Sequence, residues 1–322
     1  METVEVKGFW AGKKVFLTGH TGFKGGWLAL WLQHLGADVR GFALPAATTP
    51  ALWSVTGLDR LIAGDLADVR DEAAVARAVQ AFQPDVVFHL AAQPLVREAY
   101  RTPVQTYAVN VMGTVNVLEA VRHCPSVRAV VVVTTDKCYE NREWILPYRE
   151  YDALGGFDPY SNSKACVELL CASYRDSFLR ASGTALATAR AGNVIGGGDW
   201  SPERLIPDVL RAWQNHEEVV LRYPQATRPW QHALEPLMGY LKLAKALFEE
   251  GDKYASAWNF GPDSGSVASV ETIVGQLAEL WPTAVRWSVD SRTQPHEAGL
   301  LALDSSKARA SRRVPFAGSP AP

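Results

Sequence analysis

Long apolar runs are missing from this 322-residue chain. No stretch approaches the ~18 residues of a membrane-spanning helix, and residues 1–12 lack the apolar core of a signal peptide. Charge of one sign is missing too: 32 Lys and Arg stand against 34 Asp and Glu, a formal net charge of −2. That balance argues against nucleic acid and anionic membrane as partners. Cysteine is scarce. Cys124, Cys138, Cys166 and Cys171 form no CxxC pair and sit in apolar or helical surroundings, so neither a metal site nor a disulfide framework is expected. There is no internal repeat, low-complexity tract or long linker. These absences predict a soluble protein of a reducing cytoplasm. With 48% hydrophobic content, the chain is long enough for two domains with sizeable cores.

What is present begins with a short apolar strand, Lys14 to Thr18, followed at once by Gly19-His20-Thr21-Gly22-Phe23-Lys24-Gly25. From Trp27 to Leu35 apolar residues recur at helical spacing and stop at Gly36. Strand, glycine loop and helix form the setting of a dinucleotide fingerprint. Its glycines let the turn close, and the amides of the helix N-terminus can then approach a pyrophosphate. A second strand, Asp38 to Leu44, should end near the adenosine ribose, yet no Asp or Glu stands there to accept from the 2′-hydroxyl. Arg40 raises an NADP reading beside that of a solvated edge arginine. Asp65, in Gly64-Asp65-Leu66 after a third strand, is either an adenine contact or a turn aspartate.

Asp71 to Phe82 reads as an amphipathic helix, and Asp85 to Leu90 as a strand of the kind a parallel sheet buries on both faces. It leads into Ala91-Ala92-Gln93, small enough to admit a cofactor. Val109 to Cys124 is helical, and the strand Val127 to Val133 delivers Thr134-Thr135-Asp136-Lys137. Tyr160-Ser161-Asn162-Ser163-Lys164 opens a further helix running to about Ala181, followed by a strand from Ala185 to Ala189. Tyr160 and Lys164, four residues apart, share one helix face. An amine beside a phenol favours the phenolate, a general base. Alternating strands and helices predict an α/β fold, a doubly wound parallel Rossmann-type sheet with ligands at the strand C-termini.

From about residue 190 the composition turns to Trp, Pro and Arg: Arg190 to Trp200, Arg204 to Asp208, Arg228 to His232 and Trp258 to Pro262. The expected division is a dinucleotide-binding domain over 1–189 and a smaller substrate domain over 190–322, with elements interleaved. Its arginines could bind phosphate bidentately and its aromatics could stack on a base.

These residues resemble the extended short-chain dehydrogenases/reductases that act on nucleotide sugars. The glycine loop, Thr135 with Tyr160 and Lys164, and Arg190-Ala191-Gly192-Asn193 carry the general likeness. Within that family, Thr134 to Asn141, Trp144, Tyr148-Arg149-Glu150, Gly155 to Cys166 and Arg228 to Pro236 resemble the 4,6-dehydratase branch that takes CDP-glucose. The likeness runs from about Phe9 to Asp304. It implies an NAD-dependent lyase that oxidises carbon 4 of the sugar, eliminates water across carbons 5 and 6 and returns the hydride to carbon 6. Two alternatives stay open: an epimerase or reductase of the same fold, and a non-catalytic dinucleotide-binding protein.

The resemblance also implies roles. Tyr160 would take the 4-hydroxyl proton, with its pKa lowered by Lys164 and the nicotinamide ring, and Thr135 would hold the 4-oxygen. Lys164 would also hold the nicotinamide ribose. Asp136 and Lys137 would serve the elimination. Related dehydratases carry Asp-Glu there, so Lys137 is either a neutral base for carbon 5 or a charged stabiliser of the enolate. Gly19, Thr21, Gly22, Phe23, Lys24 and Gly25 would cradle the cofactor pyrophosphate, with Asp65, Leu66, Ala91, Gln93 and Thr134 lining the rest. Asn193, Arg204, Arg228 and Asn259 would face the nucleotide sugar, while Trp200, His232 and His296 belong either to that pocket or to packing. His20 would crowd the pyrophosphate and loosen the grip on the dinucleotide. The family pattern implies a homodimer or homotetramer built on the helices near 110–123 and 160–180. After Ala308 the family continues through a further helical segment, where this chain runs into a tail without apolar period. That tail is expected to be disordered, at some cost to stability or substrate closure.

Overall fold

The structure, a computed structural model, describes residues 8–262, 267–290, 299–311 and 314. Its seven main strands are β1 (Lys14–Thr18), β2 (Asp38–Ala43), β3 (Ala63–Leu66), β4 (Val86–His89), β5 (Ala129–Val133), β6 (Ala185–Ala191) and β7 (Ala257–Phe260). They form one parallel sheet in the order β7-β6-β5-β4-β1-β2-β3. The strand order reverses between β1 and β4, the switch point where doubly wound folds bind their ligands.

Pleating explains the apolar strands. Along β5, Ala129, Val131 and Val133 face one core while Val130 and Val132 face the other, so every residue is buried. The first core lies under helices α1 (Phe23–His34) and α6 (Leu234–Glu250). The second lies under α2 (Glu72–Phe82), α3 (Gly113–Arg122) and α4 (Pro159–Tyr174). Between α5 (Leu205–Gln214) and α7 (Val270–Leu280), a satellite core gathers Val209, Trp213, Val219, Leu221 and Val274.

Three boundaries differ from the sequence reading. β6 runs on through Arg190 and Ala191, so Arg190 lies inside the sheet rather than opening a second domain. Trp258-Asn259-Phe260, expected in the substrate region, forms the edge strand β7, and α6 packs on the same sheet. Asp65 lies within β3 rather than after it, because Phe42 and Asp65 are register partners. Of the expected disordered tail, Val314 is buried in the first core, while 312–313 and 315–322 lie outside the described residues.

Candidate active site

The crevice is built from the loop after β1. Gly19 takes φ +78°, and a Cβ there would lie 2.7 Å from the Ala91 amide nitrogen. On Gly25 a Cβ would lie 2.0 Å from the Gly19 carbonyl oxygen, so only glycine lets β1, its loop and α1 close this tightly. Gly22 caps α1 in extended geometry without a side-chain hydrogen bond, is exposed, and no acid occupies the first turn. The open amides and positive end of the helix suit an anion. A cradle that a Cβ would fill, beside an uncapped helix, fits the pyrophosphate of a dinucleotide. Thr21 donates to the Leu44 carbonyl (2.8 Å), and Phe23 is buried.

A hydrogen-bonded chain under the loop escaped the sequence reading. The Thr18 hydroxyl accepts from the amides of Leu90 and Ala91 (3.1 Å each). Its own proton therefore goes to His89 Nδ1 at 2.7 Å, leaving Nε2 to donate to Thr114 at 3.0 Å. Burial pushes His89 down to about 3, so the ring stays neutral and the chain fixes the tip of β4 against β1. Gln93 is spent locally: its amide donates to Thr106 (2.9 Å) and its oxygen accepts from Leu95 (2.6 Å).

At the adenosine end, Arg40 and Asp65 form a two-pronged ion pair (2.9 and 3.0 Å). The guanidinium proposed for an NADP phosphate is already engaged, and so is the carboxylate proposed for adenine. Leu66 is 61% exposed. His20 turns into the wall. Its ring is fully buried over Gly41 and Gly64 and meets Trp53 edge-on at 4.7 Å, and burial lowers it to about 4.

The tip of β5 and the first turns of α4 bring the catalytic candidates together. Asp158 caps α4 by accepting from the Ser161 amide (3.0 Å), and Pro159 fits the first turn. That start buries Tyr160 and Lys164 on one face. Lys164 Nζ donates to the Val133 carbonyl (3.1 Å) and is pulled down to about 8 by burial, with Cys171 and Glu168 opposing. Tyr160 goes the other way from the sequence expectation. Burial pushes it up to about 12, although the Thr135 hydroxyl and Arg204 pull it down.

Thr135 donates to Asp136 Oδ1 at 2.9 Å, and the Lys137 amide donates back to it at 3.3 Å. Asp136 is 1% exposed, and its Oδ2 has no hydrogen-bond partner among the described residues. Gly192 makes room for that oxygen, since a Cβ there would lie 2.9 Å away. Burial raises the Asp136 carboxyl above its usual value, with Lys137 and Thr135 opposing. Lys137 is half-buried beside it.

Beneath these residues runs a buried polar network. Glu168, one turn beyond Lys164, accepts from Thr134 (2.5 Å), Thr188 (2.7 Å) and Arg190 (2.7 Å). Arg190 also donates to Tyr139 (2.8 Å), whose hydroxyl donates to Asn259 Oδ1 (2.7 Å). Asn259 has no exposure and spends its amide on the Tyr148 and Asp304 carbonyls, so it holds the wall of the cleft. Arg204 caps α5 and pairs with Asp199 (2.9 Å), and its charge reaches Tyr160. Arg228 is buried, donates to the Thr227 carbonyl (2.9 Å) and acts on Asp136. Asn193 is half-buried at the exit of β6, and Trp200 is half-buried nearby in sequence. His232 is exposed, and His296 lies outside the described residues.

Residues 15–256 match the NAD dependent epimerase/dehydratase family. The chain belongs to that family. It is 50% identical over 307 residues to CDP-glucose 4,6-dehydratase of Salmonella typhimurium, covering 94% of this chain and 86% of that protein. Among solved structures it is similar to DesIV, a dTDP-glucose 4,6-dehydratase of Streptomyces venezuelae with NAD and TYD bound. There the TM-score is 0.81 at 21% identity, over 96% of this chain and 92% of that one. UDP-glucose 4-epimerase of Thermotoga maritima shares the fold at a TM-score of 0.78 and 20% identity, over 95% and 93% of the two chains. The family is NAD-dependent, which agrees with the engaged Arg40.

Proposed function

We propose that the chain is a lyase that dehydrates CDP-glucose to CDP-4-keto-6-deoxyglucose with NAD. The observation that carries this reading is Asp136: a buried carboxyl, biased toward its neutral acid, with one free oxygen beside the Thr135, Tyr160 and Lys164 set. Oxidation alone needs only a base. An acid beside it serves departure of a hydroxyl. The 50% identity to the Salmonella dehydratase supports the same substrate.

When bound, NAD supplies a hydride acceptor and later donor, and a positive charge that favours the Tyr160 phenolate. Tyr160 takes the proton from the sugar 4-hydroxyl as the carbon–hydrogen bond at carbon 4 breaks. Thr135 holds the same oxygen, and Lys164, fixed by the Val133 carbonyl, is placed for the nicotinamide ribose. The 4-ketone acidifies the hydrogen on carbon 5. Asp136 protonates the leaving 6-hydroxyl, and water departs as the carbon 6–oxygen bond breaks. Lys137 takes the carbon 5 proton if neutral; if charged, it stabilises the enolate and another base takes that proton, and hydride return to carbon 6 with a proton back on carbon 5 completes the product. Arg204 and Arg228 are assigned to the diphosphate and Asn193 to the sugar. We assign these contacts to a substrate region made mainly from residues after 190.

Incubation with CDP-glucose and mass spectrometry test the reading: loss of one water supports it, whereas an isomer of unchanged mass would point to epimerisation. We further infer a homodimer. Met112 (52% exposed), Leu169 (60%) and Phe178 (40%) lie on the two segments assigned to pairing, near 110–123 and 160–180, and exposed apolar side chains of this kind are what isologous interfaces cover. No helix among the described residues is long and apolar enough to cross a membrane. The four thiols are free, which suits a reducing cytoplasm.

A further inference from the structure

Two cations of the cleft are held from behind. Lys24, read from the sequence as part of the pyrophosphate cradle, crosses from α1 to α6, where Nζ donates to the Tyr240 hydroxyl at 3.0 Å. Arg228 is held by a longer route that starts at the protein surface. It lies in the short strand Thr227–Pro229, is 5% exposed, and donates to the Thr227 carbonyl at 2.9 Å and to the Gly299 carbonyl at 3.4 Å. The same Gly299 carbonyl accepts from the Thr227 amide at 3.0 Å. Gly299 therefore sets where this strand and the Arg228 guanidinium lie.

Gly299 is held in turn by Glu143. Its amide donates to Glu143 Oε1 at 2.7 Å across 156 residues of chain, a short bond to a charged acceptor. Glu143 is exposed and takes φ +51°, a left-handed conformation that a residue of its type adopts only when its surroundings impose it. Here they do. The Asn141 side-chain oxygen accepts from the Glu143 amide at 2.9 Å and from the Tyr148 hydroxyl at 3.0 Å, while the Asn141 amide group donates to the Leu300 carbonyl at 3.2 Å. The Tyr148 hydroxyl also accepts from the Arg142 amide at 2.7 Å. Tyr148 is buried and stacked on Tyr139 at 5.1 Å, and its backbone is bonded to Ala302 and Asp304 at 2.9 Å each. The turn at 141–143 and the segment 299–304 are thus fastened to one another and to a buried aromatic pair.

We propose that Glu143 is a positioning residue for substrate binding. By holding Gly299 it fixes Arg228 where the diphosphate of the nucleotide sugar lands. This step rests on the assignment of Arg228 made above. The carboxylate acts only through Gly299 and Arg228, so its effect belongs to substrate affinity and leaves the dinucleotide and the proton transfers at Tyr160 untouched.

Two variants separate the contact from the fold. Glu143→Asn tolerates the left-handed turn but is too short to reach Gly299, whereas Glu143→Gln keeps an oxygen at the same reach. Calorimetry of the full chain with CDP-glucose should show about tenfold weaker binding for Glu143→Asn, the order of one lost hydrogen bond to a charged group, and near-parental binding for Glu143→Gln. NAD binding should be unchanged in both, and in steady state the loss should fall on KM with kcat kept. In an Arg228→Met background, Glu143→Asn should weaken CDP-glucose no further. The proposal is overturned if Glu143→Asn leaves CDP-glucose affinity where it was, if Glu143→Gln loses as much, or if the loss persists without Arg228. It is also overturned if NAD affinity and the melting temperature fall together with it, which would mark a general loosening. A parent chain that binds NAD but not CDP-glucose would overturn the proposed function and this proposal with it; a parent that binds both, with an unaffected Glu143→Asn variant, overturns this proposal alone.

Discussion

Removing Glu168 tests how the catalytic turn is held. Glu168 and Arg190 are 2% and 3% exposed at the side chain and meet at 2.7 Å. Burial alone would lower the Arg190 guanidinium, yet Glu168 holds it well above its usual value. Glu168→Leu would leave that cation buried and unpaired, with the Thr134 and Thr188 hydroxyls orphaned. Breaking a buried pair costs about 3–5 kcal/mol, and each orphaned hydroxyl adds about 1–3 kcal/mol where it finds no new partner. The pair itself is worth much less than its rupture, because desolvation offsets most of the attraction. Glu168→Leu with Arg190→Met should therefore be more stable than Glu168→Leu alone by about 1–3 kcal/mol. The assay is urea unfolding of the two single variants, the double variant and the parent. A cost below about 1 kcal/mol for Glu168→Leu, or a double variant no more stable than that single one, refutes the account of the network.

Other outcomes follow from the same geometry. Asp136→Asn keeps the shape of the carboxyl but cannot protonate the leaving hydroxyl, so kcat should fall about 10²–10⁴-fold while NAD affinity is kept. In the parent, activity that requires the protonated Asp136 should decline as pH rises through a pKa above the usual carboxylate value, and the pH–rate profile reads that limb. Gly25→Ala puts a methyl 2.0 Å from the Gly19 carbonyl; dinucleotide binding measured by calorimetry should be lost, with the melting temperature reduced. Leu169→Glu, on the exposed face of α4, should shift the chain toward monomer in light scattering.

Contiguous chemistry was the legible part. The β1 loop, its glycines and the start of α1 are consecutive, and Tyr160 and Lys164 are one helical turn apart, so local spacing carried their geometry. The alternating apolar strands also announced the parallel sheet, since burial on both faces leaves a continuous apolar run. Pairs joined only by the fold were not legible. Glu168 meets Arg190 across two elements, and Lys24 meets Tyr240 across 216 residues. Arg190 and Asn259 looked like ligand-facing polar residues, yet β6 and β7 carry both into the sheet. The rise in Tyr160 reflects depth of burial, which sequence spacing does not encode. His20 looked like an obstruction at the pyrophosphate because its two neighbouring glycines, Gly41 and Gly64, come from other strands.

The fate of one hydrogen separates dehydration from the other reactions of this fold. CDP-glucose carrying deuterium at carbon 4 should yield, with this chain and NAD, a 4-keto-6-deoxy product with deuterium at carbon 6. A dehydrated product without the label at carbon 6, or label retained at carbon 4 of an unchanged or epimerised sugar, would contradict it.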